Sequence, residues 1–213
     1  MKVGIIGATG KAGSLIMKEA MVRGHDVTAI VRNAQKLERP DVKVLEKEIF
    51  NLTAEDLKQF DVVVNAFGVP VEKAEQHVDA GKFLIEALKG APNTRMIVVG
   101  GAGSLFVDEA KTTRFYETPE FPETFKAIAL NQSQNLADLE ASKGIQWTFL
   151  SPAAFFDPEG MRTGYYQSGE DGFIVNSKGE SYISYRDYAI ALVDEIEDPK
   201  HKNKRFTVVS EGE

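Results

Sequence analysis

The chain has 213 residues, which suits one domain with a full core. Its net charge of −7, with basic and acidic residues mixed along its length, argues against a track for nucleic-acid phosphates. There is no cysteine, which excludes disulfides, thiolate nucleophiles and zinc–cysteine sites, and no apolar run approaches the roughly 20 residues of a membrane span.

A first strand starting at Lys2 leaves no room for a signal peptide, so a cytoplasmic protein is expected. Its apolar run, Val3, Ile5 and Ile6, stops at Gly7. Glycines then recur at every third position, Gly7, Gly10 and Gly13, and Ala12, Leu15, Ile16 and Ala20 follow on one helical face. Strand, glycine turn and helix in this order open a dinucleotide-binding βαβ unit. Position 7 must turn where a Cβ would clash, position 10 must let backbone approach a pyrophosphate, and position 13 must let helix pack on strand. The helix N-terminus adds unpaired N–H groups and a partial positive charge for phosphate. Gly7, Thr9, Gly10, Lys11 and Ala12 are the expected cofactor contacts; a ligand-free structural turn is the plainer alternative.

Helix one is expected to end near Gly24. Strand two, residues 26–31, runs into Arg32-Asn33. The residue after this strand faces the adenosine ribose, where an acid would bond the 2′-hydroxyl. Arg32 stands there instead, a rigid fork of donors suited to a 2′-phosphate, so NADP(H) is favoured without excluding NAD(H), and Asn33 is counted beside it. A solvated arginine at a strand end is the alternative.

Residues 42–45 read as a third strand. Thr53 and Asp56 have the spacing of a capping box for a short helix through Leu57. Val62-Val63-Val64 is a strand buried on both faces, running into a small-residue turn, Ala66, Phe67 and Gly68, of the kind that borders the cofactor. The next helix has its apolar face at Ala74, Val78, Gly81, Leu84, Ile85 and Leu88, with His77 beside it. His25, His77 and His201 lack ligand spacing and read as structural or solvent-facing, and no metal site is expected.

Strand five, residues 96–99, ends in Gly100-Gly101-Ala102-Gly103-Ser104, and strand six, residues 146–150, ends in Ser151-Pro152-Ala153-Ala154-Phe155-Phe156. Gly100, Gly101, Pro152 and Ala153 complete the expected cofactor set at the carboxyl ends. A long helix between them is read from about 123 to 142. Residues 173–175 and 182–183 are expected to pair as a hairpin beyond Gly179. Asp187 opens a last helix through Glu197, and residues 206–209 form a final strand. Strands alternate with helices, so the class is α/β with a mainly parallel sheet: one domain over 1–213, with a small substrate lobe from residues 103–125 and 153–182.

Several stretches together resemble the atypical short-chain dehydrogenase/reductases, in their NAD(P)H-binding or NADH-flavin reductase-like branch, of which biliverdin-IXβ/flavin reductase is a better-known relative. They are GIIGATGKAG, Val31-Arg32-Asn33, Val64-Asn65-Ala66, Val99-Gly100-Gly101-Ala102-Gly103-Ser104, Trp147-Thr148-Phe149-Leu150-Ser151-Pro152 and Ile183-Ser184-Tyr185-Arg186-Asp187-Tyr188-Ala189. The resemblance covers essentially the whole chain. It implies a Rossmann-type doubly wound fold, with Ile49 and Phe50 lining the adenine. It also puts Ser104 close to the superfamily's active-site serine. Ser104 is therefore the catalytic candidate, donating to an acceptor as charge arrives, with a turn-capping serine equally open.

Dehydrogenases of this superfamily carry Tyr-x-x-x-Lys on the helix after strand five. None of the six tyrosines here is followed four residues later by lysine, and Ile128 and Gln132 stand near those positions. Losing a general acid costs roughly 10²–10⁴-fold, which disfavours carbonyl reduction and sugar epimerisation. A flavin or quinone delocalises the arriving charge and needs only to be held flat against the nicotinamide. Phe67, Phe155, Phe156, Tyr165 and Tyr166 are the candidates for that stacking, against ordinary packing as the alternative. The expected function is an NADPH-dependent reductase of a flavin, quinone or similar acceptor, the flavin being a substrate and not a resident cofactor. The alternative is a non-catalytic NADP(H)-binding redox sensor. The partner is a small conjugated molecule, with neither nucleic acid nor membrane involved, and the sequence leaves the oligomeric state open.

Overall fold

The computed structural model describes residues 1–39 and 41–212. Its first unit is the expected one: β1 (Lys2–Ile6), α1 (Lys11–Val22) and β2 (Asp26–Val31), with β2 parallel to β1. The chain leaves α1 through Gly24, whose φ of +81° is the left-handed conformation that lets a helix stop abruptly. Then follow β3 (Lys43–Glu46), α2 (Ala54–Leu57) and β4 (Val62–Asn65). The capping box forms: Thr53 Oγ1 accepts from the Asp56 N–H while the Asp56 carboxylate accepts from the Thr53 N–H. The remainder is α3 (Gln76–Lys89), β5 (Arg95–Val99), α4 (Lys126–Ala141), β6 (Gln146–Ser151), β7 (Phe155–Asp157), β8 (Gln167–Gly169), β9 (Tyr182–Ser184), α5 (Tyr185–Glu197) and β10 (Lys204–Val209).

Eight strands form one sheet in the order β3-β2-β1-β4-β5-β6-β10-β8, parallel except for β8 against β10. Alternate residues of the central strands serve opposite faces. Val62 and Val64 join Ile16, Met17 and Leu192 in a core under α1 and α5, while Val63 joins Leu57, Leu84 and Leu136 in a core under α2, α3 and α4. Helices therefore cover both faces, as in a doubly wound Rossmann-type sheet. The chain changes face between β1 and β4, and the carboxyl ends of these two strands diverge into a crevice.

The expected face of α1 packs on the first core, with Ile16 and Ala20 buried, Ala12 and Leu15 partly buried, and Gly13 and Met17 joining the stripe. Two local expectations are corrected. α4 starts at Lys126, because residues 123–125 after Pro122 form a separate tight turn. The hairpin of residues 173–175 with 182–183 does not form. The Phe173 N–H donates to the Phe106 carbonyl at 2.7 Å, and β9 pairs in parallel with β7. Ile183 is fully buried there, so packing under α5 outweighs the local turn signal.

The substrate lobe is anchored to α5 by Asp187, which is fully buried. It accepts from the Thr163 hydroxyl at 2.7 Å and from the Thr163 and Gly164 N–H groups at 3.0 Å each. The turn after β1 is held at closer quarters. A Cβ on Gly13 would lie 2.3 Å from the Gly7 carbonyl oxygen, a contact with backbone that no rotamer relieves. Gly13→Ala should therefore lower Tm by roughly 2–12 °C, the consequence of about 1–3 kcal/mol of overpacking at about 2–4 °C per kcal/mol for a domain of this size. Gly172→Ala, where a Cβ meets nothing within 4 Å, serves as the control and should leave Tm unchanged or slightly raised. Equal melting of both variants and the wild type would contradict the close-packing account.

Candidate active site

One cleft of about 1780 Å³ runs along the carboxyl ends of β1, β2, β4, β5 and β6. Its floor is the glycine turn. Gly7 has φ of +77°, and a Cβ there would sit 2.5 Å from the Ala66 carbonyl oxygen, so the turn lies directly against the end of β4. The Gly10 N–H closes the turn onto the Gly7 carbonyl at 2.9 Å. Gly10 is also the N-cap of α1 and no side chain caps it, which leaves the first helical N–H groups for a ligand's phosphate oxygens.

Thr9, Gly10, Lys11 and Ala12 line this floor. Ala66, Phe67, Gly68, Gly100, Gly101, Pro152 and Ala153 line the wall made by the ends of β4, β5 and β6. At the far end stand Arg32, Lys36, Ile49 and Phe50, and Lys73 lines the cleft on the segment after β4. The side chains of Arg32, Lys36, Lys11 and Lys73 have no hydrogen-bonding or ionic partner among the described residues. Lys47 lines the same end but is committed to Asp56 at 2.7 Å. Asn33 is corrected: its side chain accepts from the Gln35 N–H at 2.9 Å, capping a short turn, and does not line the cleft.

The opposite end is aromatic. Phe115 packs edge-on to Phe121, their centroids 5.1 Å apart, and against Phe173 at 4.9 Å; Phe156 lies over Tyr185 at 3.8 Å. Phe155 lines the mouth and is 61% exposed. Sequence reasoning named Phe67, Phe155 and Phe156 here. It missed Phe115, Phe121, Phe125 and Phe173, whose one signal was their density in segments already assigned to substrate loops, and Tyr185 at the start of α5, which no such signal marked. Tyr165 and Tyr166 are corrected. Tyr165 is 80% exposed and off the cleft, and Tyr166 turns toward α5, donating to Asp194 at 2.8 Å.

Ile128 and Gln132 of α4 do line the cleft. The Gln132 amide rests over Gly101, where a Cβ would come within 2.0 Å of its oxygen. Tyr185 sits in the same wall with its phenol held protonated, since burial pushes its pKa up. His77, read from sequence as structural or solvent-facing, lines the cleft edge-on to Phe67, ring centroids 6.0 Å apart. His25 and His201 do serve the fold, paired with Glu197 and Glu195. No cluster able to hold a metal ion exists among the described residues.

Ser104 is corrected as well. It is 3% exposed and does not line the cleft; its hydroxyl oxygen accepts from Arg205 Nη1 at 2.8 Å. Arg205 also holds Asp171 at 2.9 Å, so Ser104 completes a buried polar network under the substrate lobe. Ser104→Ala leaves a buried guanidinium one acceptor short, a loss of about 1.5–3 kcal/mol. The expected result is a lower Tm with coenzyme affinity and hydride transfer intact in the folded fraction. A drop in transfer at unchanged Tm would restore Ser104 to the chemistry.

Burial holds the His77 pKa below its ordinary value, so its folded state prefers the neutral ring. The unfolded chain takes up a proton first as pH falls below about 6.5, and stability is lost from there downward. His77→Gln should flatten this part of the stability profile, as read from melting curves across that range. Parallel profiles for variant and wild type would show that the ring titrates as freely folded as unfolded.

The comparisons with known proteins agree with this geometry. The profile of the family described as "NAD(P)H-binding" matches residues 7–199. The Bacillus subtilis (strain 168) "Uncharacterized protein YwnB" is 65% identical over 213 residues, covering 100% of each chain. A solved structure from Streptococcus pneumoniae TIGR4, "a putative NADH-flavin reductase", is 43% identical with a TM-score of 0.94, covering 99% of this chain and 100% of that one. ChuY of Escherichia coli O157:H7, "An Anaerobillin Reductase", is similar in fold at 18% identity and a TM-score of 0.75, covering 98% of this chain and 97% of that one. Glycine turn, strand order and full-length similarity converge: the chain belongs to the NAD(P)H-binding family, among the atypical short-chain dehydrogenase/reductases.

Proposed function

We propose that the protein is an NADPH-dependent reductase that passes hydride to a flavin, quinone or similarly conjugated acceptor. The observation that carries this reading is one continuous cleft with a glycine-floored end and an aromatic end; Ile128 and Gln132, which stand near the positions where the resemblance puts the tyrosine and lysine, line it too. Neither side chain can give up a proton in step with hydride transfer. An acceptor whose ring spreads the incoming charge does without one, and a solvent proton then balances the two-electron reduction.

The bound nicotinamide supplies the hydride; the chain's residues supply position. The uncapped start of α1 and Lys11 hold the pyrophosphate, and the ends of β4, β5 and β6 set the wall for the nicotinamide. Phe67 and the aromatic end keep the acceptor flat and exclude water from the approach. Arg32 and Lys36 take the 2′-phosphate, which selects NADPH over NADH. The description of the Streptococcus pneumoniae protein supports the acceptor class. The aromatic end, lined by residues beyond the glycine turn and the strand ends, favours a second substrate over the sensor role.

Steady-state NADPH oxidation with riboflavin and menadione tests the activity. Tight NADPH binding with no acceptor-dependent rate would contradict it. Coenzyme choice is tested by Arg32→Ala, which should weaken NADPH binding about tenfold and leave NADH nearly unchanged, the low end of a charge-assisted hydrogen bond because Arg32 is exposed. Equal losses for both coenzymes would show that Arg32 does not read the phosphate.

A further inference from the structure

The charged residues of the cleft are unevenly distributed along the chain. Its cations, Lys11, Arg32, Lys36, Lys47 and Lys73, all come from the first half of the chain, as does the carboxylate Glu48. From Val99 onward the cleft is lined by small residues, aromatic rings, Ile128 and Gln132, and the one carboxylate or basic group among them is Glu120, exposed at the mouth. No lysine or arginine after Val99 lines the cleft.

This is not for want of cations in the acceptor segments, which point theirs elsewhere. Arg114 donates to the Ser104 carbonyl at 2.7 Å and lies over the Phe106 ring at 4.4 Å. Lys111 pairs with Asp171, Lys126 with Glu123, and Arg162 with Glu19. Arg186 donates to the Glu159 and Gly160 carbonyls. Lys178 does not line the cleft either. An anionic group brought to this end would lose water, meet Glu120 and find no counterion. A neutral fused ring loses nothing polar and gains the faces of Phe115, Phe121, Phe156 and Tyr185.

Building on the proposed reductase activity, we infer that the acceptor end selects neutral fused-ring acceptors, an isoalloxazine or quinone without phosphate or carboxylate, and that Glu120 at the mouth rejects anionic ones. The site thereby takes its two substrates by opposite electrostatics, a phosphate-rich coenzyme at the basic end and an uncharged acceptor at the aromatic end.

Riboflavin and FMN share one ring system and differ by a phosphate carrying about −1.5 to −2 charges, which makes them the natural pair of probes. Each is titrated by flavin fluorescence into protein saturated with NADP⁺, so that binding is read without turnover. Riboflavin should bind about three- to tenfold more tightly than FMN at low ionic strength, and the gap should narrow as salt screens the repulsion. Glu120→Gln should narrow the gap and Glu120→Lys should reverse it, with riboflavin affinity unchanged in both. FMN binding as tightly as riboflavin, a gap that neither Glu120 variant moves, or no binding of either flavin would overturn the inference. NADPH oxidation with the same acceptors, run in parallel, separates the two ideas. Turnover with FMN equal to riboflavin sinks the selectivity alone, and no turnover with any acceptor sinks the reductase reading itself.

Discussion

The structure depends on the approach of the β1–α1 turn to the end of β4, backbone against backbone. Gly7 faces the Ala66 carbonyl and Gly13 faces the Gly7 carbonyl, both at distances that leave no space for a Cβ. That contact sets where α1 begins, and so where its uncapped N–H groups point. It also fixes the separation of the two strand ends between which the crevice opens. A side chain at either glycine would push the helix from the sheet and fill the floor at once. Packing and binding are here a single constraint, met by leaving atoms out.

The second organising feature is the partition of polar work. Buried ion pairs and networks tie the strands to what packs on them: Arg95 of β5 holds Glu195 of α5, and Arg205 of β10 holds the loop residues Ser104 and Asp171. Charges free of protein partners lie at the nucleotide end of the cleft. Asp187 and Arg186 hold the chain before α5, so that Phe156 and Tyr185 meet in one wall although they are far apart in sequence. The acceptor end is thus assembled from several loops, each tied to the core by a polar anchor outside the cleft.

That partition explains what could be read from the residues alone. The glycine turn, the capping box at Thr53, the strand run at Val62-Val63-Val64 and the helix stop at Gly24 depend on neighbours a few positions apart, and local physics specifies them. Arg32 and the strand-end turns at residues 66–68 and 100–101 follow from position in a parallel sheet. Ser104 and Tyr166 were misplaced because their directions are set by Arg205 and Asp194, partners distant in the chain that no local pattern reveals. The hairpin failed for the same reason: β9 finds β7, because burial of Ile183 under α5 outweighs pairing with the nearest strand-like segment. His77 showed the limit of reading a residue by spacing alone, since its place in the cleft comes from the turn that brings Phe67 beneath it.

The central claim is that hydride passes directly between two stacked rings, with no protein group delivering a proton in the same step. Anaerobic single-turnover transfer from NADPH to riboflavin, run with deuterated coenzyme and separately in D₂O, tests it most directly. The account predicts a primary isotope effect from the deuterated coenzyme and no solvent isotope effect. Transfer no faster than in free solution, or a solvent effect that shows a proton moving with the hydride, would contradict it.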